Sequence, residues 1–271
     1  MRNLINLWDK DGKKIDLSKY GLIGRRLIIP SPSYDSTEEK VTGRPGTILL
    51  GKQLNPRSLT AIFVVEAYDY ADIILLRDEL YKLFSEPFYV GEVKQPGKRW
   101  MVECIEEWEP ERLNINTDSI EIPLISRKGV AESIGTTLTP LEWDVDMWQW
   151  GMGLQWGDYA YEQTENEFTI FNAGNVKVDP RYFPLKIIIN AETSDYIEIV
   201  NHTTGDTYRY NGSLRPTDDL VIDGIRSTKN LASVFRDTNK RLLTLASGAN
   251  KIEVRGATVE RVIFDFKFYT L

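Results

Sequence analysis

Residues 41–124 carry the clearest pattern of apolar and polar positions, and its period changes twice. Ser58–Ala67 (SLTAIFVVEA) is dense in β-branched and aromatic side chains, the composition of a buried or half-buried strand. The period then lengthens: Ile73, Leu76, Leu80 and Leu83 recur every three or four residues, which predicts a helix over about residues 70–84 with one apolar stripe. Asp69 or Asp72 can accept from the first free N–H groups, and both acids suit the positive end of the helix dipole. Asp78 and Lys82 are spaced for an i,i+4 pair. Ser85-Glu86-Pro87 ends the helix, because the residue before a proline avoids helical geometry. Burial of the stripe would stabilise the fold by roughly 1.5–3 kcal/mol per side chain, which assigns it to the core rather than to a binding face.

Short strands surround this helix. Phe88-Tyr89-Val90 is one, followed by a Pro-Gly turn in Lys94–Lys98. Arg99–Glu109 alternates, with Trp100, Val102 and Cys104 on one face and Arg99, Met101 and Glu103 on the other. Asp118–Leu124 is a further strand, and Pro123 marks it as an edge or a strand end. Leu4–Trp8 and Leu22–Ile29 add strands upstream. Between them and Ser58, the connection Pro30–Val41 holds proline, serine and charge but little to bury. A connection of that length is either mobile or a projecting arm, whose main chain strand exchange between subunits would satisfy.

From Phe168 onward the chain is a succession of short strands: FTIFN, LKIIIN, YIEIVN, DTYRYNG, DLVIDG, SVFRD, RLLTLASG, NKIEVRG and VIFDFKFYTL. Asn211-Gly212, Asp223-Gly224 and Ser247-Gly248 punctuate them as turns. Such spacing without helical periodicity predicts a jelly-roll β-sandwich over 166–271. Residues 1–130 form the other domain. The connecting 131–165 is a hinge that holds Trp143, Trp148, Trp150 and Trp156, four of the chain's seven tryptophans. The fold class is mostly β, a β-rich α+β chain with one helix.

Composition removes several functions. The net charge is −7 with dispersed basic residues, which argues against a nucleic-acid grip. No run of eighteen apolar residues encodes a membrane span, and the N-terminal residues lack the pattern of a secretory signal. Cys104 is the only cysteine, so neither an internal disulfide nor a cysteine-based zinc cage is available. His202, the only histidine, sits in NHTTGD and reads as a turn residue rather than a catalytic base. Asp144, Asp146 and Asp158 lie among aromatic residues, as glycosidase acids would, but paired acids gain meaning only from geometry. Gly43-Arg44-Pro45-Gly46 lacks the Gly-Lys-Ser/Thr ending of a phosphate loop, and Gly151-Met152-Gly153 is a turn. No catalytic, metal-binding or cofactor-binding residue is assigned, and no cofactor is expected. The four hinge tryptophans suit a seam between domains or subunits; a sugar platform is their other reading.

The order of pieces in the first half resembles the distal tail protein family of long-tailed bacteriophages. The resemblance rests on Gly43-Arg44-Pro45-Gly46 before a strand, the Leu-Arg-Asp-Glu-Leu helix core (Leu76–Leu80), and the Leu83–Tyr89 run (LFSEPFY). The Pro-Gly-Lys-Arg-Trp turn (Pro96–Trp100) completes it. Phe171–Gly174, Ile199–Gly205, Leu220–Asp223 and Ala249–Gly256 extend the likeness into the second half. It implies an N-terminal β-sandwich-like ring domain and a C-terminal galectin-like sandwich, in a virion structural protein of the tail tip that performs no chemistry. It also implies a hexameric ring joining the tail tube to the tail-tip hub, assembled in the host cytoplasm. The expected partners are further copies of the chain, the tail tube and hub proteins, the tape measure and receptor-binding proteins. An arm from each ring domain would embrace the next subunit; Pro30–Arg57 is the region in question, with Gly43, Arg44, Gly46 and Arg57 as its assembly residues. The alternative is a lectin-like module that binds a cell-surface glycan, with a glycoside hydrolase a distant third.

Overall fold

The computed structural model describes residues 2–68, 70–140 and 160–271. The chain divides into two compact units, residues 1–132 and 133–270.

The first unit contains β1 (Ile5–Trp8), β2 (Leu22–Ile28), β3 (Tyr34–Glu39), β4 (Ile48–Leu54), β5 (Arg57–Glu66), α1 (Tyr70–Leu83), β6 (Phe88–Glu92), β7 (Lys98–Val102), β8 (Pro110–Asn114), β9 (Thr117–Ser126) and β10 (Ala131–Ser133). One sheet runs β2-β5-β9-β8 and a second begins β1-β6-β7-β10. Strand β5 is the backbone of the unit because it pairs with β9 along its whole length. Its alternate residues Leu59, Ala61, Phe63 and Val65 are buried, and they meet Ile120, Ile122 and Leu124 of β9 in one core. Strand β8 reaches only to Ile120, so Pro123, which has no N–H to give, lies on a stretch of β9 without a neighbour on that side.

The apolar stripe of α1 closes this core. Ile73 and Leu80 are buried, while Leu76 and Leu83 pack against the core with part of their surface. Phe84, just past the helix, lies with its ring centre 5.9 Å from Phe63 and 5.2 Å from Phe88. Asp72 accepts from the Tyr68 N–H ahead of the first turn; Asp69 lies outside the described residues. The expected Asp78–Lys82 pair is replaced by Asp78 with the adjacent Arg77 at 3.4 Å. Both partners are exposed, so neither arrangement contributes much.

Alternation misplaces Arg99. Strand β7 stops at Val102, and Arg99, expected on the polar face, is buried with Glu132 of β10 at 3.0 Å. Its guanidinium lies 3.8 Å from the centre of the Tyr89 ring. A guanidinium can be buried when a carboxylate and an aromatic face replace water; here the carboxylate arrives from the neighbouring strand, thirty-three residues on.

The second unit is a two-sheet sandwich. One sheet orders Glu162–Gln163 (β11), Thr258–Phe266 (β20), Leu185–Glu192 (β13), Leu220–Asp223 (β16), Arg226–Lys229 (β17) and Ala232–Ser233 (β18) side by side. The other orders Glu167–Asn172 (β12), Gly248–Arg255 (β19), Tyr196–Asn201 (β14) and Asp206–Asn211 (β15). Inward residues alternate, with Ile187 and Ile189 from one sheet and Ile197, Ile199, Ile252 and Val254 from the other. Two expected strands take other forms. SVFRD gives only the short β18 and a 3-10 turn at Phe235–Asp237. RLLTLASG buries Leu243 and Leu245 but, ahead of Gly248 where β19 begins, joins a ladder only at Leu245–Val178. Its main chain is held by side chains instead: Asn201 donates to the Thr244 carbonyl, and the Thr244 and Ala246 N–H groups donate to Asp206 and Asn250. Gly174 is required where it stands, since a Cβ there would lie 2.3 Å from the Tyr269 carbonyl oxygen.

Replacing Arg99 with methionine should leave Glu132 buried without its guanidinium and cost about 3–5 kcal/mol, read as a lowered urea midpoint by circular dichroism. An unchanged midpoint would show that the pair adds nothing to stability. Leu80→Ala should cost about 2–5 kcal/mol through the cavity it leaves under α1.

Candidate assembly surfaces

The polar connection after β2 folds on itself. β3 and β4 pair antiparallel from Tyr34–Leu54 to Glu39–Ile48, with a bulge opposite Thr37 and Glu38. The expected loop is therefore a hairpin, and its inner main-chain groups are satisfied within the chain rather than by exchange. All of β3 and most of β4 are exposed on both faces. Among the described residues neither strand has a second neighbour. A hairpin with two wet faces and two open edges is marginal on its own in water.

Its root supplies the missing order. Arg57 Nε donates to the Pro30 carbonyl at 2.7 Å, the Asn55 N–H to the Ser33 carbonyl at 3.1 Å, and Asn55 Nδ2 to Asp35 at 2.9 Å. Lys52 Nζ lies 3.7 Å over the Tyr34 ring. Gly129 closes against the same point, with φ +67° and no room for a side chain, since a Cβ would stand 2.6 Å from the Asn55 carbonyl oxygen.

Of the four residues named for the assembly arm, Arg57 lies at its root. It opens β5, only 8% exposed, with its guanidinium 4.9 Å from the Trp100 ring. Burial pulls its pKa below the usual arginine value. Arg57 is thus the peg on which the arm hangs. Gly43, Arg44 and Gly46 sit at the tip, in the connection between β3 and β4. Both glycines have positive φ, 85° and 83°, and nothing within 4 Å of where a Cβ would be. Around the tip Val41, Leu49 and Leu50 are 44, 57 and 61% exposed. The two leucines carry the apolar surface that sequence reasoning overlooked. Their sign in the chain is the apolar run Ile48-Leu49-Leu50 inside a polar, turn-rich stretch.

The hinge tryptophans Trp143, Trp148, Trp150 and Trp156, with Asp144, Asp146, Asp158 and Gly151–Gly153, lie outside the described residues. His202 occupies the turn between β14 and β15, its Nε2 2.6 Å from Glu253. Arg255 and then His202 hold the Glu253 carboxyl down to about 2. Another surface feature lies between β17 and β18. Asn230 and Leu231 both have positive φ, 48° and 69°, the geometry of a type I′ hairpin turn. Leu231 is 95% exposed there. The turn is tied down by Asn230, which donates to Asp218 at 2.9 Å and accepts from the Asp219 N–H at 2.9 Å. Asn230, the Arg215 N–H and Lys229 lower the Asp218 pKa to about 2.

Residues 10–126, the bulk of the first unit, match the phage tail protein RIFT-related domain family. No curated protein matches the chain. Among solved structures, the Dit (gp 19.1) protein of phage SPP1 is similar with a TM-score of 0.68 at 12% identity. That structure is described as a paradigm of the hub adsorption apparatus in phages infecting Gram-positive bacteria. The match covers 97% of this chain and 99% of that one, so the two share a fold over their whole length. Chains of the activated baseplate of phage p2 with strontium and with calcium are also similar, at TM-scores of 0.48 and 0.49 and 10% identity. These cover 97 and 99% of this chain, and 97 and 98% of theirs.

Leu231→Gly should stabilise the chain by up to about 1 kcal/mol, because a left-handed leucine is strained where glycine is at ease. A lower midpoint in urea would contradict the turn described. Asp218 and Glu253 have folded-state pKa values depressed to about 2, so their stabilisation is complete above the ordinary carboxylate range. It should be lost as pH falls from about 4.5 toward about 2. Melting temperature against pH checks this, and Asp218→Asn with Glu253→Gln should make the fall shallower.

Proposed function

We propose that this chain, a structural protein of the phage tail tip with a RIFT-related domain and the fold of the distal tail protein, works as a ring-forming adaptor. Copies close side by side through their first units, and the second units offer docking faces to other tail-tip components. The ring joins the tail tube to the hub, and receptor-binding proteins attach at its periphery.

The observation that carries this reading is the arm. Unpaired strand edges invite pairing with another chain, and proteins that stay monomeric cover or blunt them. Here the hairpin Tyr34–Leu54 keeps two open edges and exposed leucines while its root is rigidly pegged. That is the form of a projecting contact, not of a frayed loop. A ring of identical copies needs an interface whose two sides differ and whose rotation closes, and an arm reaching from one copy to the next provides such a pair of sides. On this reading the role is geometric: repeated contacts fix a diameter, and no bond is made or broken.

Electron micrographs of the purified chain at high concentration should show annuli of uniform diameter. Trypsin should cut the dispersed chain early after Lys40, and the assembled ring should protect that site. Absence from mature viral particles, or equal cleavage in both states, would overturn the proposal.

A further inference from the structure

We infer that the Arg57 end of the β5–β9 ladder binds a chloride ion, held by Arg57 Nη1 and Ser126 Oγ. The site lies within one copy of the chain and is independent of the ring reading.

Arg57 and Ser126 stand directly opposite each other where the ladder ends. Opposite residues of an antiparallel pair share a face, and here it is the core face. Arg57 continues the buried row of Leu59, Ala61 and Phe63, and Ser126 continues that of Ile120, Ile122 and Leu124. Both side chains are themselves buried. Yet Arg57 Nη1 and Ser126 Oγ have no hydrogen-bond partner among the described residues. Buried polar atoms are rarely left so, and two donors on facing positions call for one shared acceptor.

That acceptor has to bring negative charge. Arginine keeps its proton in a protein, so burial cannot neutralise it as it can a lysine. Arg99, about as buried in the same unit, has Glu132 at 3.0 Å. Arg57 has no ion pair among the described residues; its Nε bond goes to the neutral Pro30 carbonyl, and its other neighbour is the Trp100 ring. A buried charge without a counter-charge is costly.

The surroundings select the anion. The next pair on the same face, Leu59 opposite Leu124, is buried and offers no donor. A tetrahedral oxyanion would turn its remaining oxygens onto such neighbours, at the cost of desolvating them unpaired. A chloride ion accepts from both donors with one atom and leaves nothing unsatisfied. The serine hydroxyl rotates about its own bond and can turn toward it. A water molecule would meet the hydrogen bonds but not the charge.

The test follows thermal unfolding of the full chain as sodium chloride replaces sodium gluconate at constant ionic strength. The midpoint should rise and saturate, as it does for a ligand that binds only the folded state. Ser126→Ala removes one donor and little volume, and should weaken chloride binding by about tenfold or more; Arg57→Met should abolish it, and if that variant does not fold, Ser126→Ala still decides. Crystals soaked in sodium bromide should show an anomalous peak within hydrogen-bond distance of both atoms. A midpoint that ignores chloride, or a dependence unchanged in Ser126→Ala, would overturn the proposal. So would ordered water alone at the site, or a bromide peak without a saturable shift, which would mean binding at crystal concentration only.

Discussion

The functional reading hangs on one physical constraint: a two-stranded hairpin wet on both faces cannot hold itself. Burial contributes almost nothing between Tyr34 and Leu54, so order must enter from one end or the other. At the root it enters through main-chain bonds, the Gly129 close approach and a guanidinium taken out of water. Placing Arg57 there costs desolvation, which its bond to Pro30 and the face of Trp100 partly offset. The far end is held only by exposed bonds, from the Thr47 hydroxyl to Glu38 and from the Arg44 N–H to the Val41 carbonyl among them. On the assembly proposed above, a hairpin ordered at its base gains its remaining support from another copy.

The fold was legible where burial imposes a period. The β5 pattern, the α1 stripe and the strands of the second unit each leave a core face, and each face repeats with the spacing of its element. Reading failed where a residue's partner is distant in the chain or is not a side chain at all. Arg99 looks like any surface cation until Glu132 is brought beside it. The RLLTLASG segment reads as a strand because Leu243 and Leu245 alternate, yet its main chain bonds to Asn201, Asp206 and Asn250. The hairpin was invisible for a further reason: with no buried face, β3 and β4 have no alternation to read. Its length and polarity mark it as unusual, and the anchoring role of Arg57 shows only once Pro30 is brought beside it.

Polar groups in the two units serve different ends. In the first unit the buried ion pair Arg99–Glu132 joins β7 to β10 and the Arg57 peg fixes the arm. In the second, Asn172, Asn201 and Asn250 are almost wholly buried and replace ladder bonds with side-chain bonds. The sandwich is thereby stiffened around irregular loops without disulfides, and the turn at Asn230-Leu231 is held in a strained form by the same kind of bond. Both arrangements hold surfaces still.

Gly129 gives the arm a particular history. Because the hairpin is suspended from carbonyl oxygens and a glycine that tolerates no side chain, nearly all selection for folding falls on the root. The residues beyond it are free to drift so far as their own chain is concerned. On the assembly proposed above, substitutions in the arm would be matched by compensating substitutions in the surface it meets.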